Sequence, residues 1–302
     1  MTGVARERTS IRQVGRRQRQ RLGRAALYTF LVLTSLVWLF PILWAMYESL
    51  RPYGETARLG YVSIARSLTL NNYVDAWNQA EIPMRLFNSM VIVIPALVLV
   101  LALGSSIGYA LSRFSFRFNI ALLTLFTAGN LLPPQVIITP LFWMYLKLPL
   151  PAPLSDNGVW YDQYFGIIAI QVAFQLGFAT FLLSNYMKTI PKELTEAALV
   201  DGASVLRTFW QVILPLSRPA LGALATLQFT WMYNDFFWGL VLMSTGDKRP
   251  ITSGLNDLQG LFFTNFNLLA AASVIVAMPP LIVYFLFQRQ FVRGLTLGAT
   301  KG

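Results

Sequence analysis

The chain has 302 residues, of which 55% are hydrophobic and 12% are charged. Soluble domains carry about 25% charged residues, so this chain has too few charges to cover a soluble surface of its size. The composition also excludes a disordered or collagen-like chain, because only 36 residues are Gly or Pro and aromatic side chains are abundant. The composition therefore predicts a membrane protein.

Cysteine and histidine are both absent from the sequence. Their absence excludes disulfides, thiol nucleophiles, imidazole bases and the usual ligands of zinc, copper and haem. We therefore predict no catalytic residues and no metal site. The net charge of +11 would suit a nucleic-acid partner, but eight of the basic residues lie within the first 24 positions, so their placement has to be considered first.

Six apolar stretches follow one another along the chain, each long enough to cross about 30 Å of hydrocarbon as a helix of about 20 residues. They cover residues 26–48, 90–112, 120–146, 164–187, 221–243 and 268–287. The sequence thus predicts an all-α membrane protein with six transmembrane helices. An Arg-rich arm (1–25) precedes the membrane domain (26–288), and a tail (289–302) follows it.

The orientation follows from the loops. Of the 24 basic residues, 17 lie in the arm, in residues 113–119 and 188–218, and in the tail, whereas the alternate loops hold seven. Because cytoplasmic loops carry the excess of Lys and Arg, both termini are predicted to be cytoplasmic. We expect the arm to contact anionic lipids rather than nucleic acid.

The most informative polar stretch is the loop between the fourth and fifth predicted spans, which reads IPKELTEAALVDGASVLRTFWQVILPLSRPAL over residues 190–221. Pro191 suits the first position of a helix, where its missing N–H costs nothing. Gly202 can end that helix in a left-handed conformation. We expect a second helix over residues 203–214, stopped by Pro215.

This loop resembles the EAA loop of bacterial ABC-importer permeases. The matching residues are Glu196, Ala197, Ala198, Gly202, Leu214 and Pro215. The stretches LTLNNY (68–73), FNSMVI (87–92), GYALSRFSF (108–116), LLPPQVIITPLF (131–142) and RGLTLGATKG (293–302) are similar to the carbohydrate-uptake branch, specifically the maltose-type permease subunit. Two departures are Val212, where the family favours Ile, and Tyr233, where members often carry Trp.

The resemblance implies the type I ABC-importer permease fold and a set of partners: a second permease subunit, two ATPase subunits that bind ATP and Mg²⁺, and an extracytoplasmic sugar-binding protein. It implies ATPase coupling through Glu196, Ala197, Ala198, Asp201, Gly202, Leu214 and Pro215. The chain contains no Gly-Lys dipeptide, so it has no phosphate-binding loop of the G-x-x-x-x-G-K-[ST] type. We expect a non-catalytic subunit that binds no cofactor itself. The alternative for the loop is an ordinary amphipathic connector.

A polar set within the spans is the candidate substrate path. Asn234 and Asp235 interrupt an apolar stretch, where a charge is costly unless it faces protein or water. Gln171, Gln175, Gln228, Trp231 and Tyr233 are expected to join them, because a sugar needs hydroxyl partners and aromatic faces. Hydrogen bonding between helices is the alternative. Residues 51–85 and 244–266 are candidates for docking the binding protein, with solvated loops as the alternative.

The sequence therefore predicts the permease subunit of a binding-protein-dependent ABC importer for a sugar or oligosaccharide, located in the bacterial cytoplasmic membrane. An importer of a non-sugar solute and an ion-coupled secondary transporter remain open. The second of these usually needs more intramembrane ionisable groups, and only Asp235 stands clearly inside a predicted span.

Overall fold

A computed structural model describes residues 2–115, 117–129, 133–259 and 264–296, with side chains described between 21 and 290. This part of the chain forms a helical bundle, with one isolated β-bridge between Pro149 and Val159. The helices in chain order are α1 (Thr2–Ser49), α2 (Tyr53–Leu59), α3 (Asn71–Gln79), α4 (Ile82–Arg113), α5 (Asn119–Gly129), α6 (Ile138–Lys147), α7 (Tyr164–Thr189), α8 (Lys192–Val200), α9 (Val205–Thr208), α10 (Leu214–Leu216), α11 (Arg218–Tyr233), α12 (Phe237–Leu242), α13 (Ile251–Gly254) and α14 (Phe266–Thr296).

Four of these helices are long and apolar enough to cross a membrane alone: residues 21–49 of α1, α4, α7 and residues 266–290 of α14. Two bent pairs bring the number to six if each pair counts as one span: α5 with the segment 134–147, and residues 205–216 with α11. Four predicted spans thus correspond to single helices. The helix of the first span continues through the arm to Thr2, and residues 297–302 of the tail lie outside the described residues.

The third and fifth predicted spans, 120–146 and 221–243, are each divided between two helices. In the third, α5 and the segment 134–147 meet at 88°. Pro133 is extended at φ −61° and ψ 130°, and Pro134 has no N–H to continue a helical ladder. In the fifth, α11 ends at Tyr233 and α12 begins at Phe237. Residues 234–236 therefore separate the two helices, with Phe236 at the N-cap of α12.

The most extensive helix–helix contact in the described residues joins α4 and α7. A Cβ atom added at Gly104 would lie 2.9 Å from the Cβ of Ala179, and one at Gly108 would lie 3.2 Å from the Cβ of Leu183. Small residues spaced by four let two membrane helices approach this closely. The contacts Gly104–Ala179 and Gly108–Leu183 follow the same order along both helices. Helices α4 and α7 therefore run parallel, and their C-terminal ends lie on the same side of the bundle.

Helices α11 and α14 complete the core beside α4 and α7. The Tyr233 hydroxyl donates to the carbonyl oxygen of Val276 at 3.0 Å, and a Cβ at Gly222 would lie 2.8 Å from the Cβ of Gln290. The main hydrophobic core includes Val93, Ala96, Val100, Ala179, Leu183, Leu224, Phe229, Ala271 and Ala272. By contrast, the apolar part of α1 is exposed along its length, with Trp38 at 77%.

The loop between α7 and α11 lies at the C-terminal ends of α4 and α7, where Arg113 of α4 contacts Ile190. We call this side of the bundle the loop side. The N-terminal ends of α4 and α7 lie on the opposite side, where the Tyr164 hydroxyl donates to Asn88 at 2.8 Å.

Candidate functional site: the loop between α7 and α11 and the polar break in the fifth span

The first helix of the loop, α8, is ended by a glycine as predicted. Gly202 has φ +80°, a region that glycine enters without steric cost. This conformation lets the N–H of Ala203 donate to the carbonyl oxygen of Ala198 at 2.9 Å, which satisfies an otherwise unpaired helix end. Pro191 is extended and precedes the first helical residue, Lys192, so the helix begins one residue later than predicted.

The second helix differs more from the prediction over 203–214. It begins at Val205, after Ser204 accepts the N–H of Arg207 at 3.3 Å. Residues 209–213 form a π-helical turn, and α10 continues to Leu216. Pro215 therefore does not stop the helix, and that prediction is wrong. It lies in α10, which directly continues the π-helical turn, and the helix ends one residue after it, at Leu216. The 74° bend between residues 205–216 and α11 comes after Leu216.

The loop presents most of its predicted coupling residues to solvent. Glu196, Ala197, Asp201 and Gly202 are exposed, whereas Ala198, Leu214 and Pro215 are half-buried. Large apolar side chains are exposed beside them, with Val200 at 88%, Leu206 at 71% and Trp210 at 61%. Exposed apolar surface rimmed by polar residues marks interaction sites, so this loop has the character of a protein-binding surface.

The loop is attached to α4 at two points. Arg113 donates from Nη1 to the carbonyl oxygen of Ile190 at 3.1 Å, and the Tyr109 hydroxyl donates to the carbonyl oxygen of Val205 at 3.4 Å. The Tyr109 ring also contacts the ring of Phe209, with centroids 5.1 Å apart. Sequence reasoning did not identify Tyr109 and Arg113 individually. The stretch GYALSRFSF that contains both was the available signal.

A cavity of about 130 Å³ separates α8 from the end of α4. It is lined by Tyr109, Arg113, Phe114, Lys192, Thr195, Glu196, Leu199 and Val205. The Nε and Nη2 atoms of Arg113 are buried and have no hydrogen-bond partner among the described residues. The side chains between α8 and α4 therefore leave part of this contact unfilled, and the two hydrogen bonds to Ile190 and Val205 carry the attachment.

Asp235 and Gln171 are the members of the predicted substrate path that the structure brings together. Nε2 of Gln171 on α7 donates to Oδ2 of Asp235 at 2.9 Å. The carbonyl oxygen of Asp235 accepts the Thr252 hydroxyl at 2.7 Å. This pair joins α7 to the break in the fifth span and to the segment that follows α12.

The other predicted path residues lie in different surroundings. Gln228 is fully buried, and neither atom of its amide has a hydrogen-bond partner among the described residues. Tyr233 is buried against α14, as described above. Asn234 is exposed, Gln175 is half-buried, and Trp231 is 45% exposed with its ring against Phe178 at 5.2 Å. The predicted set therefore does not form a single cluster in this conformation.

A larger cavity, of about 250 Å³, lies between α5 and α7 and is apolar. Its lining is Leu125, Phe126, Gly129, Pro133, Ile137, Ala173, Phe174 and Gly177. It contains no predicted path residue. No group of three or more acidic, His or Cys side chains in the described part of the chain is placed to hold a metal ion.

Comparison with known proteins identifies the family. Residues 101–297 match the family described as binding-protein-dependent transport system inner membrane component. The chain belongs to this family. The matched region contains the loop, both of its attachments to α4, and the break at Asp235.

Relatives whose names report a carbohydrate include NgcG and AraQ. The permease is 31% identical to the diacetylchitobiose uptake system permease protein NgcG of Streptomyces coelicolor, over 91% of this chain and 88% of that protein. It is 30% identical to the arabinooligosaccharides transport system permease protein AraQ of Bacillus subtilis, over 92% and 96%. Its fold is similar to a chain from the crystal structure of a bacterial ABC transporter involved in the import of alginate, with a TM-score of 0.73, 24% identity, and 90% and 97% coverage. The predicted family and the predicted type I importer fold are confirmed.

On the opposite side of the permease, α4 holds the segment 244–258 by its backbone. Nδ2 of Asn88 donates to the carbonyl oxygens of Asp247 and Arg249 at 2.6 and 3.2 Å. The Ser89 hydroxyl accepts the N–H of Ile251 at 2.9 Å. All three contacts join α4 to residues about 160 positions away, so sequence reasoning had no local signal for them.

The same segment is held at its start by Asp162. The N–H groups of Ser244 and Thr245 donate to its carboxylate at 2.9 and 3.0 Å, and the Thr245 hydroxyl donates as well. Burial would raise the pKa of Asp162, but these hydrogen bonds outweigh it and hold the pKa below its usual value. Asp162 itself adopts φ +61°, a strained conformation for a residue with a side chain.

The other predicted docking segment, 51–85, is anchored by a buried arginine. Arg51 is fully buried, and its guanidinium donates to Glu48 at 2.9 Å and to the Ser63 hydroxyl at 2.7 Å. Asn267 at the start of α14 donates to the carbonyl oxygen of Glu48 at 2.9 Å. These contacts fix the segment against the ends of α1 and α14.

Proposed function

We propose that the permease is the membrane-spanning subunit of an ATP-driven, binding-protein-dependent importer for a sugar or oligosaccharide. The family membership and the carbohydrates in the names of NgcG and AraQ support this substrate class. ATP and Mg²⁺ are bound by separate ATPase subunits, and this chain contributes no catalytic group. A second, homologous permease completes the membrane domain.

The loop side faces the cytoplasm of a bacterial cell and the opposite side faces the binding protein. The uneven distribution of Lys and Arg supports this orientation. The arm then lies at the cytoplasmic surface, where its arginines meet anionic lipids. Segments 51–85 and 244–266, of which 260–263 lie outside the described residues, then face the binding protein.

The observation that carries the proposal is the geometry of the loop. Helix α8 is exposed, ends at a left-handed glycine, and is attached at both ends to the transmembrane bundle. An ATPase that binds α8 can therefore move the bundle as its nucleotide sites close. Ala197 and Ala198 permit close approach, and Glu196 meets a basic group of the ATPase. Asp201 and Gly202 set the turn, and Leu214 and Pro215 support the second helix.

The substrate path is proposed to run past the break in the fifth span. The Gln171–Asp235 pair supplies hydrogen-bonding groups for sugar hydroxyls, and the exposed ring of Trp231 supplies an aromatic face. Gln175, Gln228, Tyr233 and Asn234 are assigned to the same path in another conformation. If Asp235→Asn changes neither the uptake rate nor the sugar preference, Asp235 has no role in the path.

The test of the coupling role is assembly with the ATPase. Valine at Gly202 would be strained by about 1–2 kcal/mol, because a Cβ is disfavoured at positive φ. We expect Gly202→Val and Glu196→Gln to reduce both the yield of ATPase that co-purifies with the tagged permease and the ATP hydrolysis of the complex.

Matched controls lie on the opposite side of the permease. Gly158→Val likewise places valine at a positive φ, since Gly158 has φ +76° and, like Gly202, open space around a Cβ. Asp75→Asn removes an exposed carboxylate from α3. Both controls should retain the ATPase. Unchanged assembly and hydrolysis in Gly202→Val and Glu196→Gln would refute the coupling role.

A further inference from the structure

Helix α4 contacts both the loop that contains α8, which is proposed to bind the ATPase, and the segment 244–258, which is proposed to face the binding protein. At its loop-side end, Arg113 and Tyr109 hold the carbonyl oxygens of Ile190 and Val205, which flank α8 on both sides. Both contacts are made to backbone atoms, so they follow the position of α8 regardless of its side chains. Any displacement of α8 acts directly on the end of α4.

At its other end, α4 holds the segment 244–258 in the same way. Asn88 and Ser89 bind three backbone groups of this segment, as described above. Arg85, one turn earlier and 5% exposed, pairs with Asp257 at 2.8 Å. Gly254 lies directly against the Arg85 guanidinium, where a Cβ would overlap it. A displacement of α4 therefore acts on the segment at several points.

Between these two ends, α4 is a single helix of 32 residues that continues through Pro95. Its contacts with α7 at Gly104 and Gly108 are too close for one helix to slide freely past the other. The two ends of α4 are thus joined by one packed helix pair rather than by loops.

We propose that α4 is the element that transmits movement of α8 to the segment 244–258 across the membrane. Arg113 and Tyr109 are its positioning residues on the loop side, and Asn88 and Ser89 are its positioning residues on the opposite side. The inference rests on the proposed function, since it needs an ATPase on α8. It adds a physical route by which nucleotide binding reaches the surface that faces the binding protein.

The absence of cysteine from the chain makes a direct test possible. Single spin labels are attached at Asn256→Cys, which reports on the segment 244–258, and at Val200→Cys, which reports on α8. Both positions are exposed. The labelled permease is assembled with its ATPase, whose own cysteines are replaced, and spectra are recorded before and after addition of ATP with vanadate.

In the parent complex, we expect both labels to respond to ATP with vanadate. In Arg113→Met and in Asn88→Ala, the label at position 200 should still respond, whereas the response at position 256 should fall by roughly twofold or more. Arg113→Lys, which keeps a donor, should recover part of it. Ser106→Ala is the matched control, because Ser106 is an exposed α4 residue bonded only within its helix.

The outcomes separate the two proposals. If neither label responds in the parent complex, the ATP-driven function fails, and this inference fails with it. If the parent responds and both variants respond fully at position 256, α4 does not transmit the movement. Loss of the response at both positions in Arg113→Met and Asn88→Ala would also overturn the inference, since these residues would then act on ATPase engagement itself.

Discussion

Gly104→Ala is expected to separate the two central helices. Its Cβ would lie 2.9 Å from the Cβ of Ala179, whereas carbon atoms in contact normally lie about 3.5–4.0 Å apart. The shortfall is roughly 0.6–1.1 Å, and Ala179 cannot rotate away because its Cβ is fixed to the backbone of α7. Overpacking of this kind costs about 1–3 kcal/mol, partly offset by about 1 kcal/mol from the better helix propensity of Ala.

A double-mutant cycle with Ala179→Gly removes the propensity contribution. When position 179 has no Cβ, the nearest remaining atoms lie 3.5 Å from the new Cβ, which is ordinary contact. The cycle should therefore give a coupling of about 1–3 kcal/mol between positions 104 and 179. The assay is the free energy of unfolding in mixed micelles, measured by titration with a denaturing detergent.

Gly23→Ala is the matched control for this cycle, because a Cβ there meets no atom within 4 Å. It should leave the free energy of unfolding unchanged or slightly increased. Additive effects of Gly104→Ala and Ala179→Gly, within about 0.5 kcal/mol, would refute the close packing of α4 against α7.

Three further substitutions test the opposite side of the permease. Because the pKa of Asp162 is lowered from 3.8 in the folded state, its carboxylate stabilises the fold above about pH 4, and this contribution is lost as the pH falls further. Asp162→Asn should therefore unfold at a lower temperature than the parent at pH 7, and the difference should shrink below about pH 4. Gly254→Ala should displace the Arg85 guanidinium and increase proteolysis of the segment 244–258, whereas unchanged cleavage would contradict that contact. Arg51→Met removes the cationic partner of the buried Glu48 carboxylate, which then keeps, among the described residues, only the amide hydrogen bond from Asn267, and should cost about 3–5 kcal/mol of stability, measured by thermal unfolding. A loss below about 1 kcal/mol would show that Glu48 is not held by Arg51.

Features governed by local sequence were predictable. Apolar runs of about 20 residues placed the spans, and a glycine after an amphipathic segment predicted the left-handed end of α8. The motif around Glu196 identified the family because its residues lie close together along the chain. These signals need no knowledge of distant contacts.

The two divided spans show where prediction of helix boundaries from local sequence fails. Asn234 and Asp235 were interpreted as polar residues within one apolar span, whereas they lie between α11 and α12, and hydropathy alone does not show where one helix ends and the next begins. Pro215 was expected to stop a helix, but the helix passes through a π-helical turn at 209–213 and ends at Leu216, one residue after Pro215. That turn contains Phe209, which packs on Tyr109 of α4, so its geometry depends on tertiary contact.

The long-range polar contacts were beyond sequence reasoning for a different reason. Asn88 meets Asp247 across 159 positions, and the chain without its fold gives no indication of that pair. Gln171 and Asp235, 64 positions apart, were grouped by residue type, without an indication that they bond directly. The sequence therefore predicted the substrate path only as a set of residue types. The structure shows that Gln171 and Asp235 are hydrogen-bonded, that the Gln228 amide is buried, and that Trp231 and Asn234 are exposed.

The central claim is that ATP drives a sugar through this permease by way of α8. The most direct measurement is uptake of labelled oligosaccharides into proteoliposomes that hold the complete complex, with ATP inside and the binding protein outside. The account predicts that accumulation requires both ATP and the binding protein, is lost in Gly202→Val, and persists in Gly158→Val. Uptake that continues without the ATPase and collapses when a proton gradient is removed would contradict it.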